Sequence, residues 1–271
     1  MSSWTLDDIA WDRFDPGKVD GELLRIVKAA SLVERNGADY AEYLCKVFHD
    51  DTAFQAIATR WGAEETQHGV ALARWARLAD PAYDFAAAAA RFTAGFRVDV
   101  DADSSVRGSR VGEMIARCVV ETGTSSYYTA LAEASREPVL REICQRIAAD
   151  EFRHYKLFYD TLKRYQAIEQ LGVWGRLRIA AGRIAETDDD ELAYAYYAAN
   201  EKVAPYDRRR YSKAYARRAY AVYRPHHIER GIGMVLKAVG LKPNGRASRW
   251  VTRAAWWIIQ ARIALLTRAA A

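Results

Sequence analysis

Two stretches of the chain share a frame. Gly62–Leu72 reads GAEETQHGVAL and Ala148–Phe158 reads AADEFRHYKLF, and each holds a glutamate three positions before a histidine. The pairs are Glu65 with His68 and Glu151 with His154, and they use two of only five histidines. Positions i and i+3 lie on one face of a helix, so each pair offers an oxygen and a nitrogen donor in one direction. A further glutamate precedes each pair at nearly the same separation: Glu34 ahead of Glu65, and Glu121 ahead of Glu151. Glu42 is an alternative first glutamate, but it would break that equal spacing. Four carboxylates and two imidazoles in one interior would be prohibitive without compensating charge. Two metal ions would supply it. One Glu from each of two helices, with Glu-x-x-His from each of two more, is the ligand set of carboxylate-bridged di-iron bundles.

A lone Glu-x-x-His is ordinarily a solvated surface pair. Here the two sit in an internal repeat. VERNGADYAEYL (Val33 to Leu44) lies over VETGTSSYYTAL (Val120 to Leu131), and RWGAEETQH (Arg60 to His68) over RIAADEFRH (Arg146 to His154). Each half therefore reads as a helical hairpin, with the single glutamate on its first helix and the pair on its second.

Helical periodicity dominates the rest of the chain, and strand alternation is hard to find. The expected helices run over about 20–48, from HDDT at 49–52 to Pro81, over a short stretch at 84–96, over 108–135, and from Pro138 to about Gln170. Further helices are expected near 174–185, 188–203, 207–223, 226–239 and 248–269, with Thr187 and Ser248 as N-caps and Lys242 to Gly245 as a turn. The expected class is all-α: a four-helix bundle over 1–170, which the resemblance given below implies is ferritin-like, followed by a basic, aromatic-rich helical extension over 171–271 packed on or beside it. Six prolines, sixteen glycines and an apolar half of 271 residues agree with a buried helical core. Three cysteines without close spacing argue against a disulfide framework or a zinc site. The N-terminal residues carry no secretory signal pattern. A cytoplasmic protein is expected, with a peripheral position at the inner membrane face as an extension of that reading.

WGAEETQHG and EPVLREICQRIAADEFRHYKLFY resemble two sequence blocks of the ferritin-like di-iron oxidoreductases, and within them the soluble acyl-ACP desaturases. The resemblance covers roughly residues 20–168. It implies that Glu34, Glu65, His68, Glu121, Glu151 and His154 are iron ligands. It also implies that Asp150 orients a ligand histidine, with Glu64 as its pseudo-symmetric counterpart. Thr124 matches a threonine beside the oxygen-binding pocket of that family; a helix-interior threonine bonded to the carbonyl four residues back is the competing reading. Gln67 departs from the arginine usual before the first motif's histidine.

Iron suits mixed carboxylate and imidazole ligands, with a manganese–iron pair as an alternative. Such a site can activate O2 for attack on an unactivated C–H bond, and the resemblance implies desaturation, with hydroxylation as a close rival, of a fatty-acyl or similar apolar chain, fed by an electron donor such as ferredoxin or a reductase. N-oxygenation of another small molecule, ferritin- or rubrerythrin-like handling of iron or peroxide, and a non-catalytic scaffold are the alternatives. Small residues Gly123 and Ser125 would leave room for a substrate channel or permit close helix packing. Tyr40, Tyr127 and Tyr128 are read as core residues, His226 and His227 as an exposed cap region, and His49 as a helix C-terminal residue. A homodimer is expected.

The net charge of +5 hides an asymmetry: residues 206–271 carry 15 Lys or Arg against two acids, while 1–205 carry 25 against 33. The basic tail reads either as a cover for the bundle, Trp and Ile inward and Arg outward, or as a docking surface for acyl carrier protein or an anionic membrane. Nucleic acid is not expected, because no recognised motif accompanies the charge.

Overall fold

The computed structural model describes residues 4–186, 190–201, 203–243 and 245–268. Among them the fold is all-α, with no strand. Eleven α-helices follow three short 3-10 turns: α1 Gly21–Arg35, α2 Gly37–Val47, α3 Thr52–Ala79, α4 Phe85–Gly95, α5 Arg110–Ala134, α6 Pro138–Gln166, α7 Val173–Ala185, α8 Asp190–Asn200, α9 Arg208–Ala221, α10 Pro225–Ala238 and α11 Arg246–Arg268.

Local chemistry sets most of these boundaries. Asp20 accepts from the Glu22 and Leu23 amides to start α1, Asp51 from Phe54 to start α3, and Asp84 from Ala87 to start α4. Glu137 does more than cap. Its buried carboxylate accepts the Val139 and Leu140 amides at the head of α6 and also the indole N–H of Trp75 on α3, 2.7 Å away.

Three boundaries differ from expectation. The helix expected over 20–48 is two helices, broken at Asn36. The reason is a close approach: a side chain at Gly37 would put its Cβ 2.3 Å from the Glu65 Cβ. Ser248 does not cap α11 but lies inside it, since the Arg249 amide already bonds to the Gly245 carbonyl. His227 is buried, not exposed; its Nδ1 accepts the Arg224 amide at 3.0 Å and so caps α10. Thr187 lies outside the described residues, as does Asn244 within the expected turn.

The chain divides into two compact units: Met1–Ala102 with Leu131–Arg146 and Asp188–Arg218, and Asp103–Ala130 with Ile147–Thr187 and Ala219–Ala271. In the first, α1 packs on α3 and α8, and α2 on α3. Its basic stretch is tied inward, with Arg217 and Arg218 both bonding Glu22 at 2.9 Å. In the second, α10 packs on α11. The Tyr155 hydroxyl donates to the Met234 carbonyl at 2.7 Å, which fixes α10 to α6 at the position after His154.

Candidate metal centre

In the first unit, α1 and α3 bring Glu34, Glu65 and His68 together. Gly69 permits this, because a Cβ there would stand 2.9 Å from the Ser31 carbonyl oxygen and 3.0 Å from the Arg35 nitrogen. The two backbones therefore touch at the level of His68. The Glu65 and Glu34 carboxylates lie 3.4 and 3.8 Å from His68 Nδ1. The indole of Trp4 stacks on the imidazole, with centroids 5.9 Å apart and planes 6° from parallel. Gln67 donates to the Trp4 carbonyl at 2.8 Å, so the residue that departs from the family pattern holds this indole in place.

The second unit repeats the arrangement on α5 and α6. Glu121 lies 3.7 Å from His154 Nδ1, and Glu151, one turn before His154, accepts a short hydrogen bond from the Thr124 hydroxyl. That hydroxyl also lies 3.3 Å from the Val120 and Glu121 carbonyls. Burial holds the Cys118 thiol well above its usual range, with the nearby Glu121 charge adding to the effect, so it stays protonated.

The donors suit a hard-to-borderline cation. Within each unit, one atom from each of the three side chains lies within 4.8 Å of the other two. The carboxylate–imidazole separations exceed hydrogen-bond length. They are close to the roughly 3.4 Å expected between donors held about 2.1 Å from one tetrahedral ion. All six residues are buried, with exposures from 1 to 8 % for the glutamates and 0 to 1 % for the histidines. Buried carboxylates gathered around an imidazole need positive charge, and a divalent ion in each half would provide it.

Glu42 is exposed and pairs with Lys46 at 3.2 Å. Glu64 is half-buried, and Asp150 is buried and paired with Arg153 on its own helix. Tyr40 donates to Glu191 at 2.9 Å, while Tyr127 and Tyr128 are core residues. His49 lies exposed just beyond α2. The three cysteines form no disulfide. Gly123 has nothing within 4 Å of an added Cβ, so close packing does not explain it. Trp4 had no sequence signal, because it stands near the start of the chain, far from the histidine it covers.

A family model described as "Fatty acid desaturase" matches residues 37–171. No curated protein matches the chain. The matched stretch contains Glu65, His68, Glu121, Glu151 and His154 and begins just after Glu34. Over just under half of its length the chain is thus similar to that family.

Proposed function

We propose that this protein is an O2-using di-iron oxidoreductase that desaturates or hydroxylates a fatty-acyl or similar apolar chain. The observation that carries the reading is the pair of buried Glu/Glu/His half-sites, one in each unit, at corresponding positions of the repeat and largely within the desaturase match. Glu34, Glu65 and His68 would hold one side of the metal pair, and Glu121, Glu151 and His154 the other. When bound, the iron pair supplies O2 activation, the chemistry that attack on an unactivated C–H bond requires.

The chain's own residues do the rest. Burial of all six side chains keeps bulk water from the reacting region. Trp4 and Gln67 hold the His68 ring in one orientation. Thr124 holds the Glu151 carboxylate and keeps a proton at its Oγ1, next to the ligand set. Asp150, in the same reading, orients a ligand histidine. Electrons come from a ferredoxin or a reductase, and a manganese–iron pair would serve the same ligands.

Anaerobic ferrous loading should give about two irons per chain. Glu65→Ala, Glu151→Ala and His154→Ala should each lose much of that metal while keeping the helical circular dichroism. Iron no higher than background in the parent would sink the site. With the loaded protein, a reductant and O2, mass spectrometry of acyl-carrier and acyl-CoA substrates separates the reactions. A product lacking two hydrogens marks desaturation, and one gaining an oxygen marks hydroxylation.

A further inference from the structure

Helix α11 has two apolar faces, and the described structure covers one of them. Helix α11 packs on α10, and Ser248, Thr252, Ala255, Trp256, Ile259 and Ile263 are buried or half-buried along one side of it. Arg262 is held there too, its guanidinium 3.3 Å from the Tyr220 hydroxyl. The other side faces solvent. Trp250 is 71 % exposed, Val251 48 %, Trp257 72 %, Ile258 59 % and Leu265 66 %. At about 100° per residue these five fall within an arc of roughly 120°, and Ala254 and Ala261 fall inside the same arc. From Trp250 to Leu265 the stripe is about 22 Å long at about 1.5 Å per residue. Exposed Arg249 and Arg253 border one edge. The reading of the tail as a cover, Trp and Ile inward, therefore holds for Trp256, Ile259 and Ile263 but not for Trp250, Trp257 and Ile258.

We propose that this face docks the protein on an anionic lipid surface. Charge favours that occupant. Helix α11 carries no Asp or Glu, and residues 206–271 carry 15 Lys or Arg against two acids. A second copy of the same face would set arginines against arginines, with no acid on either helix to answer them. An acidic protein would satisfy the two bordering arginines, but its carboxylates would leave five large apolar side chains unmatched. A bilayer interface matches both sets. The acyl boundary takes the tryptophans and aliphatics, the phosphates take the arginines, and the long Arg stems reach up from the edge. The helix would lie in the interface plane, since no helix among the described residues is long and apolar enough to cross a membrane. The proposal does not depend on the metal reading.

The test uses the full chain with vesicles of phosphatidylcholine alone and of phosphatidylcholine with about one third phosphatidylglycerol. The protein should co-sediment with the anionic vesicles at low salt. It should leave them as salt shortens the screening length from about 10 Å at 0.1 M to about 3 Å at 1 M. Trp250→Glu with Trp257→Glu should lower partitioning about 100-fold or more, because two large apolar anchors are lost. Both tryptophans are exposed, so neither change opens the core. Arg249→Gln with Arg253→Gln should weaken binding roughly 30-fold and flatten its salt dependence. Both pairs should keep the parent's circular dichroism. Three results would overturn the proposal: equal binding to neutral vesicles, a Trp double variant that partitions like the parent, or a lipid-free dimer that dissociates when the tryptophans are replaced. The last would show that a second copy covers the face.

Discussion

The Thr124 hydroxyl has one proton and three acceptors within reach: the Val120 and Glu121 carbonyls and the Glu151 carboxylate. Of these the Glu151 carboxylate makes the nearest contact. The hydroxyl thus stands between a back-bond along the helix and a contact with a proposed metal ligand. Thr124→Val separates them, since valine keeps the shape and removes only the donor. Iron content should stay near the parent's, because Glu151 keeps its own donor atoms. The rate at which the reduced, loaded protein consumes O2 should change by about tenfold or more, the scale of a lost hydrogen bond to a charged group at roughly 1.5–3 kcal/mol. An unchanged rate, followed by oxygen electrode, would leave Thr124 as a packing residue.

Among the elements, the crossing of α2 over α3 is the tightest near the site. A Cβ on Gly37 would meet Glu65 Cβ at 2.3 Å, and one on Gly62 would meet the Ala41 Cβ at 2.6 Å and the Gly37 carbonyl oxygen at 2.7 Å. Two glycines one above the other let the helices approach where Glu65 leaves the backbone. Propensity and packing then oppose each other. Alanine at position 37 would gain up to about 1 kcal/mol as a helix former, but overpacking costs about 1–3 kcal/mol. Packing should win here, because the blocking atom is a Cβ on a helix backbone and not the far end of a flexible chain. Gly37→Ala should therefore lower the unfolding free energy in urea by about 1–2 kcal/mol and weaken iron binding by displacing Glu65. Gly123→Ala is the control. With nothing within 4 Å of the new Cβ, it should stabilise by about 0.5–1 kcal/mol. If both variants shifted stability in the same direction, the crossing would not be the constraint described.

For the molecule as a whole, the proposed ligand set ties stability to metal. Four buried glutamates are costly to keep charged without a cation, and each compact unit contains two of them. An ion that binds only the folded chain stabilises it by about 2.7 kcal/mol at a hundred times its dissociation constant. For a chain of this size that corresponds to roughly 5–10 °C in Tm. Anaerobic differential scanning should show such a rise on ferrous loading of the parent and little or none in Glu151→Ala. A parent whose Tm ignores ferrous ion would contradict a folded-state metal site, whatever its activity.

What the sequence alone determined is local or repeated. The helix starts at Asp20, Asp51, Asp84 and Pro138 follow from side chains close in sequence to the amides they serve. The Glu-x-x-His frames follow from the i, i+3 geometry of any helix, and the repeat marked Glu34 and Glu121 because a duplicated hairpin copies its residues at the same spacing. Only the tertiary structure decided the rest. Trp4 covers His68 from a distant part of the chain, and nothing in the local pattern links that indole to that imidazole. The break at Asn36 exists because a neighbouring helix comes within a methyl's width of Gly37, a constraint set by packing and not by propensity. His227 is buried because its ring caps α10, although PHH at a helix start equally suits an exposed turn. Helix α11 has apolar residues on two arcs, so amphipathicity alone could not choose between them; tertiary packing covered the Trp256 side and left Trp250 and Trp257 facing outward. Periodicity gives the faces of a helix, and its neighbours decide which of those faces is covered.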